Sequence, residues 1–184
     1  MALGATMYHI EVSLSDVDRG VYESLDLRLA RHPSETLRYM LTRLFAYALS
    51  YAEGIQFSKG GLSDVDEPPV SIVDPTGLLL AWIDVGVPSA ERLHRAAKAA
   101  RHVSVYTSAN LAQLRKEASS RPIHKGSDID VWPIAPAFLE RLEPLVERNT
   151  TMDVTRNDGE LYVTIGGAQF DTKIARVPLI ETAQ

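Results

Sequence analysis

A helical stripe set between alternating segments is the feature that most limits what this chain can fold into. Leu37, Met40, Leu41, Leu44, Phe45, Ala48 and Leu49 recur at spacings of three and four up to Gly54, which predicts an amphipathic helix with Pro33 in its first turn. Such a stripe needs an apolar surface to cover, and the preceding segment can supply one. Tyr8, Ile10, Val12 and Leu14 fall on one face of a strand, Asp16-Val17-Asp18-Arg19-Gly20 offers turn chemistry, and Leu25, Leu27 and Leu29 resume the alternation over residues 22–29. A hairpin followed by a helix is expected.

The rest of the chain extends this pattern. Val70-Ser71-Ile72-Val73 and the run 78–85 flank Asp74-Pro75-Thr76-Gly77, a type I turn pattern that predicts antiparallel neighbours. A helix over 89–100 and a strand over 103–107 read as a crossover onto the same sheet, and a helix over 110–118 with a strand over 129–134 repeats it. A further helix is expected from Pro136 to Arg148, with Pro144 kinking or shortening it. Finally, Asn157-Asp158-Gly159-Glu160 predicts a hairpin between residues 152–156 and 161–165. The expected fold is α/β: a single domain over residues 1–184, with a mixed central sheet flanked by helices and antiparallel hairpins at the start and end.

Composition removes several classes of function. The chain has no cysteine, so disulfides, thiolate zinc sites and cysteine nucleophiles are excluded, and a reducing cytoplasm is the expected location. No apolar run is long enough to span a bilayer, and Met1-Ala2-Leu3-Gly4 lacks the character of a secretory leader, so no membrane association is expected. The five histidines lack zinc-site spacing, and neither phosphate-binding glycine loops nor a GxSxG elbow occurs. The net charge of −5 conceals an asymmetry: between Pro88 and Lys125 eight Lys or Arg stand against two Glu, giving +6 locally and leaving −11 on the remainder. That segment is where a nucleic acid would bind, although solvated surface helices are its plainer reading.

One stretch invites a chemical reading. Asp84 ends an apolar strand on the same face as Leu80 and Trp82, where an ionised group needs a partner. If Asp74 and Gly77 close the turn, Asp84 falls opposite Glu67, with Asp66 taking that place should a bulge intervene. A cation would turn the repulsion between such acids into coordination. Glu35, in the first helical turn, either complements the helix dipole or adds a third carboxylate. Lys59, beside Gly60 and Gly61, lies between the elements that carry these acids.

These blocks carry a family resemblance. Arg31-His32-Pro33-Ser34-Glu35-Thr36, Phe57-Ser58-Lys59-Gly60-Gly61-Leu62-Ser63, Asp66-Glu67-Pro68, Thr76-Gly77, Trp82-Ile83-Asp84-Val85-Gly86 and Val105-Tyr106-Thr107 resemble the signatures of the bacterial YaeQ family. That family has no established biochemical activity, and its fold is regarded as a variant of the PD-(D/E)xK, restriction-endonuclease-like fold. The resemblance implies Glu35, Asp66 or Glu67, and Asp84 as catalytic acids, with Asp66, Glu67 and Asp84 holding Mg²⁺ or Mn²⁺. It departs at the motif lysine, where Gly86 stands; Arg92, Arg95 or Lys98 on the next helix, with Lys59, would then meet phosphate. The expected function is a nucleic-acid or protein binding module on a degenerate nuclease-like fold. The alternative is a metal-dependent phosphodiesterase acting on DNA or RNA.

Overall fold

The computed structural model describes residues 4–59 and 66–181. Among these the chain is α/β, with two mixed sheets and four α-helices. The single central sheet expected from the alternation is therefore replaced by two. The chain divides into two compact units, Met1–Leu41 with Ile134–Ile174, and Thr42–Pro133 with Ala175–Gln184.

In the first unit, β1 (Thr6–Asp16) and β2 (Val21–Arg31) form the expected hairpin, in register from Thr6↔Arg31 to Asp16↔Val21. A second hairpin joins β8 (Asn149–Asn157) to β9 (Glu160–Ile165) through Asp158 and Gly159, both with positive φ as a type I′ turn demands. Gly166 and Gly167 repeat this device and lead into β10 (Ala168–Lys173). The two hairpins do not flank a central sheet. They join through a parallel β1–β8 ladder into one five-stranded sheet, ordered β10-β9-β8-β1-β2. Each hairpin has one apolar and one polar face, and pairing edge to edge merges the apolar faces into a single surface. Ile10, Val12, Leu14, Leu27, Leu29, Met152, Val154 and Val163 are all buried, as are Phe138, Leu139 and Leu142 of α4 (Pro136–Leu142). Pro144 lies in a 3₁₀ turn, Glu143–Leu145, so α4 ends early as its position demands.

The turns of the two hairpins are tied together. Asp18 accepts N–H hydrogen bonds from Asp158 (2.6 Å) and Gly159 (3.1 Å) and pairs with Arg156 (3.1 Å). The Gly159 N–H first, then that of Asp158 and the Arg156 charge, hold its carboxyl below the ordinary carboxylate range.

The second sheet is ordered β11-β7-β6-β5-β4-β3, from β3 (Ile55–Phe57), β4 (Val70–Val73), β5 (Leu79–Val85), β6 (His102–Thr107), β7 (Asp130–Pro133) and β11 (Val177–Pro178). β5, β6 and β7 are parallel, joined by α2 (Ala90–Ala99) and α3 (Leu111–Ala118), which bears out both expected crossovers. Ser89 and Asn110 cap these helices with side-chain oxygens on the N–H groups of Arg92 and Ala112. Leu93, Ala96, Leu114 and Ala118 meet Trp82, Val103, Val105, Ile129 and Val131 in one buried cluster.

The helical stripe forms α1 (Leu37–Leu49), with Met40, Leu41, Leu44, Phe45, Ala48 and Leu49 buried. Its start differs from expectation. Thr36 caps it, with Oγ1 accepting the Tyr39 N–H at 3.1 Å, so Pro33 and Glu35 stand in the preceding turn rather than in the first helical turn.

Removing the Asp18 carboxylate should loosen the joint between the hairpin turns. A carboxyl held below its unfolded value stabilises the fold above that value, and the contribution fades as pH falls through the folded one. Asp18→Ala should thus melt below wild type at pH 7, and the gap should close as pH falls below about 4, the unfolded carboxylate value. Paired thermal melts across that range check it.

Candidate functional site

The candidate residues of the second unit gather where β5 meets α2. Parallel pairing with β6 leads Asp84 into the sheet interior, where it is only 2% exposed. Its charge is met by Arg92, one turn into α2, whose Nε lies 2.7 Å from Oδ2. The Trp82 indole N–H donates to the same oxygen at 3.0 Å, and the Val85 N–H donates to Oδ1 at 3.2 Å. Trp82 and Asp84 share one strand face two residues apart, the geometry that lets the indole reach the carboxylate. The guanidinium also lies over the Trp82 ring, 5.3 Å from its centre, and donates through a terminal nitrogen to the Glu67 carbonyl at 2.8 Å. One arginine thus joins β5, α2 and the chain entering β4.

Register decides where the other acids stand. The expected turn closes with the Gly77 N–H on the Asp74 carbonyl at 2.9 Å, but Gly77 adopts φ +88° and adds one residue to the loop. A bulge between Ile72 and Val73 adds another on the β5 side, so the ladder runs Val70↔Ile83, Ser71↔Trp82, Ile72↔Ala81. Continued one step, it carries Asp84 to Pro69 and not to Glu67. The two extra residues preserve the side-chain faces and displace only the partner. β4 begins at Val70 because Pro68 and Pro69 cannot donate ladder bonds. Glu67 turns its carboxylate to the Ser58 hydroxyl (2.9 Å), and Asp66 pairs with Arg95 (2.7 Å) on the exposed side of α2.

Lys59, Ser58, Gln56, Asp66, Glu67 and Trp82 help line a cleft of about 380 Å³. Lys98 is exposed on the same helix as Arg92 and Arg95. Gly60, Gly61, Leu62 and Ser63, the remainder of the expected loop motif, lie outside the described residues. Glu35 belongs to the first unit. There it is buried, closes the turn from His32 and accepts the His32 N–H on Oε2 at 3.1 Å, so it lies one residue ahead of the helix cap and does not serve the helix dipole as a first-turn residue.

The motif-lysine position has a backbone explanation. Gly86 leaves β5 with φ +86°, its N–H bonded to the Tyr106 carbonyl at 2.9 Å. A side chain in that left-handed conformation costs roughly 1–2 kcal/mol. The basic segment is also partly neutralised, since Arg92, Arg95, Arg115 and Arg121 pair with Asp84, Asp66, Glu181 and Glu91.

A divalent ion needs open carboxylate oxygens. Both oxygens of Asp84 already accept hydrogen bonds, an arginine supplies the compensating charge, and among the described residues no group of three or more His, Asp or Glu is arranged to hold a metal. As placed, these residues do not fit the metal that the family resemblance implies. Trp82, which reads as core in the sequence, and Ser58 join the expected acids here; the two-residue spacing of Trp82 and Asp84 is the available signal for the first.

Residues 1–174 match the family model described as "YaeQ protein". The chain is 34% identical over 167 residues to "Uncharacterized protein YaeQ" of Escherichia coli (strain K12), covering 89% of this chain and 91% of that protein. The Salmonella typhi protein of the same description is 32% identical over 166 residues, with the same coverage. Among solved structures, the YaeQ protein from Pseudomonas syringae superposes with a TM-score of 0.84 at 33% identity, over 94% of this chain and 96% of that one. The YaeQ protein from Xanthomonas axonopodis pv. citri gives 0.83 at 31%, over 94% and 97%.

The Asp84–Arg92 pair makes a quantitative test. Breaking a buried pair from one side leaves the other charge stranded, at a cost of about 3–5 kcal/mol when both groups are fully buried. With the Arg92 side chain 17% exposed, Arg92→Gln and Asp84→Asn should each destabilise by about 2–3 kcal/mol. The double variant should lose less than the two losses added together, as denaturant midpoints in a double-mutant cycle would register.

Proposed function

Because the chain belongs to the YaeQ family, and matches crystal structures of two of its members along nearly its whole length, we propose a function suited to the whole fold: a binding module on a degenerate nuclease-like scaffold, without metal-dependent chemistry. One observation carries this reading. The cation beside Asp84 is the chain's own arginine, held by the carboxylate, the Glu67 carbonyl and the face of Trp82. An arginine in that role neutralises the acid permanently, since it stays protonated at any working pH. It offers no site for activating water.

The partner the cleft suits best is a polypeptide. A nucleic-acid backbone asks for one sign of charge, whereas the cleft's lining combines Lys59 with Asp66 and Glu67. Its lining includes Gln56 and Phe57 of β3, an edge strand of the second sheet among the described residues, whose outer side suits pairing with an extended segment. Pairing of Arg92 and Arg95 with internal acids also lowers the charge available to phosphate.

Four measurements test the reading. Millimolar Mn²⁺ should leave the wild-type melting temperature unchanged, and no DNA or RNA should be cut in its presence. A photo-cross-linker at Gln56 should trap a polypeptide whose recovery falls at least fivefold in Lys59→Glu. Mn²⁺-dependent cleavage lost in Asp84→Asn would return the chain to the phosphodiesterase alternative. Nucleic-acid binding that weakens with salt and with Lys98→Gln would move the partner to the basic segment.

A further inference from the structure

The first unit carries a separate cleft, of about 400 Å³, at the beginning of β1 and β8, lined by Met7, Tyr8, His9, Arg28, Arg148 and Asn149. The ladders explain why these residues meet. His9 pairs with Arg28 across β1–β2 and with Asn149 across β1–β8, so an imidazole, a guanidinium and a carboxamide stand in a row over three adjacent strands. Arg148, immediately before β8, accepts the His9 N–H on its carbonyl at 2.7 Å and adds a second guanidinium to the lining. Every group in the row can donate a hydrogen bond.

The two arginines differ from most of the others. Arg38, Arg92, Arg95, Arg115 and Arg156 each hold a carboxylate. Among the described residues Arg28 and Arg148 make no side-chain hydrogen bond or ion pair. Two acids stand one step along the same sheet face, each with a partner of its own: Asp26 Oδ1 lies 2.6 Å from His9 Nε2, and Glu11 Oε2 lies 3.5 Å from the Thr151 hydroxyl. In a chain of net charge −5, two arginines without a carboxylate partner of their own thus line one cleft.

We propose that this cleft binds the phosphate of a small phosphomonoester. Two guanidinium groups, each able to donate in parallel pairs, together with the Asn149 amide, exceed what a two-oxygen carboxylate can use but match the oxygens of a phosphate dianion. The cleft is larger than a phosphate, and the 54% exposed Met7 side chain forms an apolar wall for the ligand's organic part. His9, held by Asp26, orders the middle of the row. This site is independent of the cleft beside Asp84.

Calorimetric titration of the full chain at low ionic strength, with inorganic phosphate, a sugar phosphomonoester, a nucleoside 5′-monophosphate and acetate, tests the assignment. Saturable binding is expected for at least one phosphomonoester, tighter than inorganic phosphate, and none for acetate. Arg28→Gln and Arg148→Gln should each weaken it at least fivefold and the pair at least 20-fold, with melting temperatures unchanged because both side chains are exposed. Lys125→Gln should leave it unaltered. Absence of saturable phosphomonoester binding, or equal weakening by Lys125→Gln, would overturn the proposal. So would a short single-stranded oligonucleotide that alone bound with the Arg28 and Arg148 dependence.

Discussion

Burying the Asp84 carboxylate at the end of an apolar strand obliges the second unit to bring a cation to it, and much of the local architecture follows from that need. α2 begins at a Ser89 cap placed so that Arg92 falls one turn in, above the strand end. The indole of Trp82 turns its N–H to the same oxygen and offers its face to the guanidinium. The chain entering β4 supplies a carbonyl, which fixes Glu67 by its backbone and leaves its side chain to Ser58. A charge costly to bury has become the joint between two strands and a helix.

Much of this architecture was legible because period and turn chemistry agreed locally. The β1–β2 hairpin, both crossovers and the Asn157–Glu160 turn rest on neighbouring residues whose preferences point one way. Sheet membership was less accessible. Whether two hairpins flank a common sheet or pair with each other depends on which edges meet, and alternation within a strand reports only its faces. The register error has a similar origin: Gly77 and the Ile72/Val73 bulge each insert a residue, and two insertions leave the apolar pattern unchanged while moving Asp84 past Glu67. Glu35 was misplaced by a smaller margin, because Pro33 and Thr36 both suit a helix start and the capping hydroxyl prevailed.

The acids of the candidate site were found more readily than their partners. An Asp in an apolar strand announces a need, but sequence spacing does not say what meets it. Arg92 and Arg95, expected to stand in for the motif lysine and meet phosphate, pair with Asp84 and Asp66. The same arithmetic of charge that makes residues 88–125 look basic overlooks acids contributed from elsewhere in the chain, Glu181 among them.

The parallel ladder between β1 and β8 has a consequence for how the chain reaches this structure. Glu11 and Thr151 are adjacent in space yet separated by 140 positions, so during synthesis β1 waits for a strand made 140 positions later. Until then β1 has only β2 beside it, a two-stranded ribbon with an apolar face and an open edge. Meanwhile residues 42–133, whose sheet draws mostly on nearby segments, can begin to order as they emerge. The nascent hairpin is then the part most exposed to mispairing, and the interval before β8 arrives is when a chaperone would have most to shield.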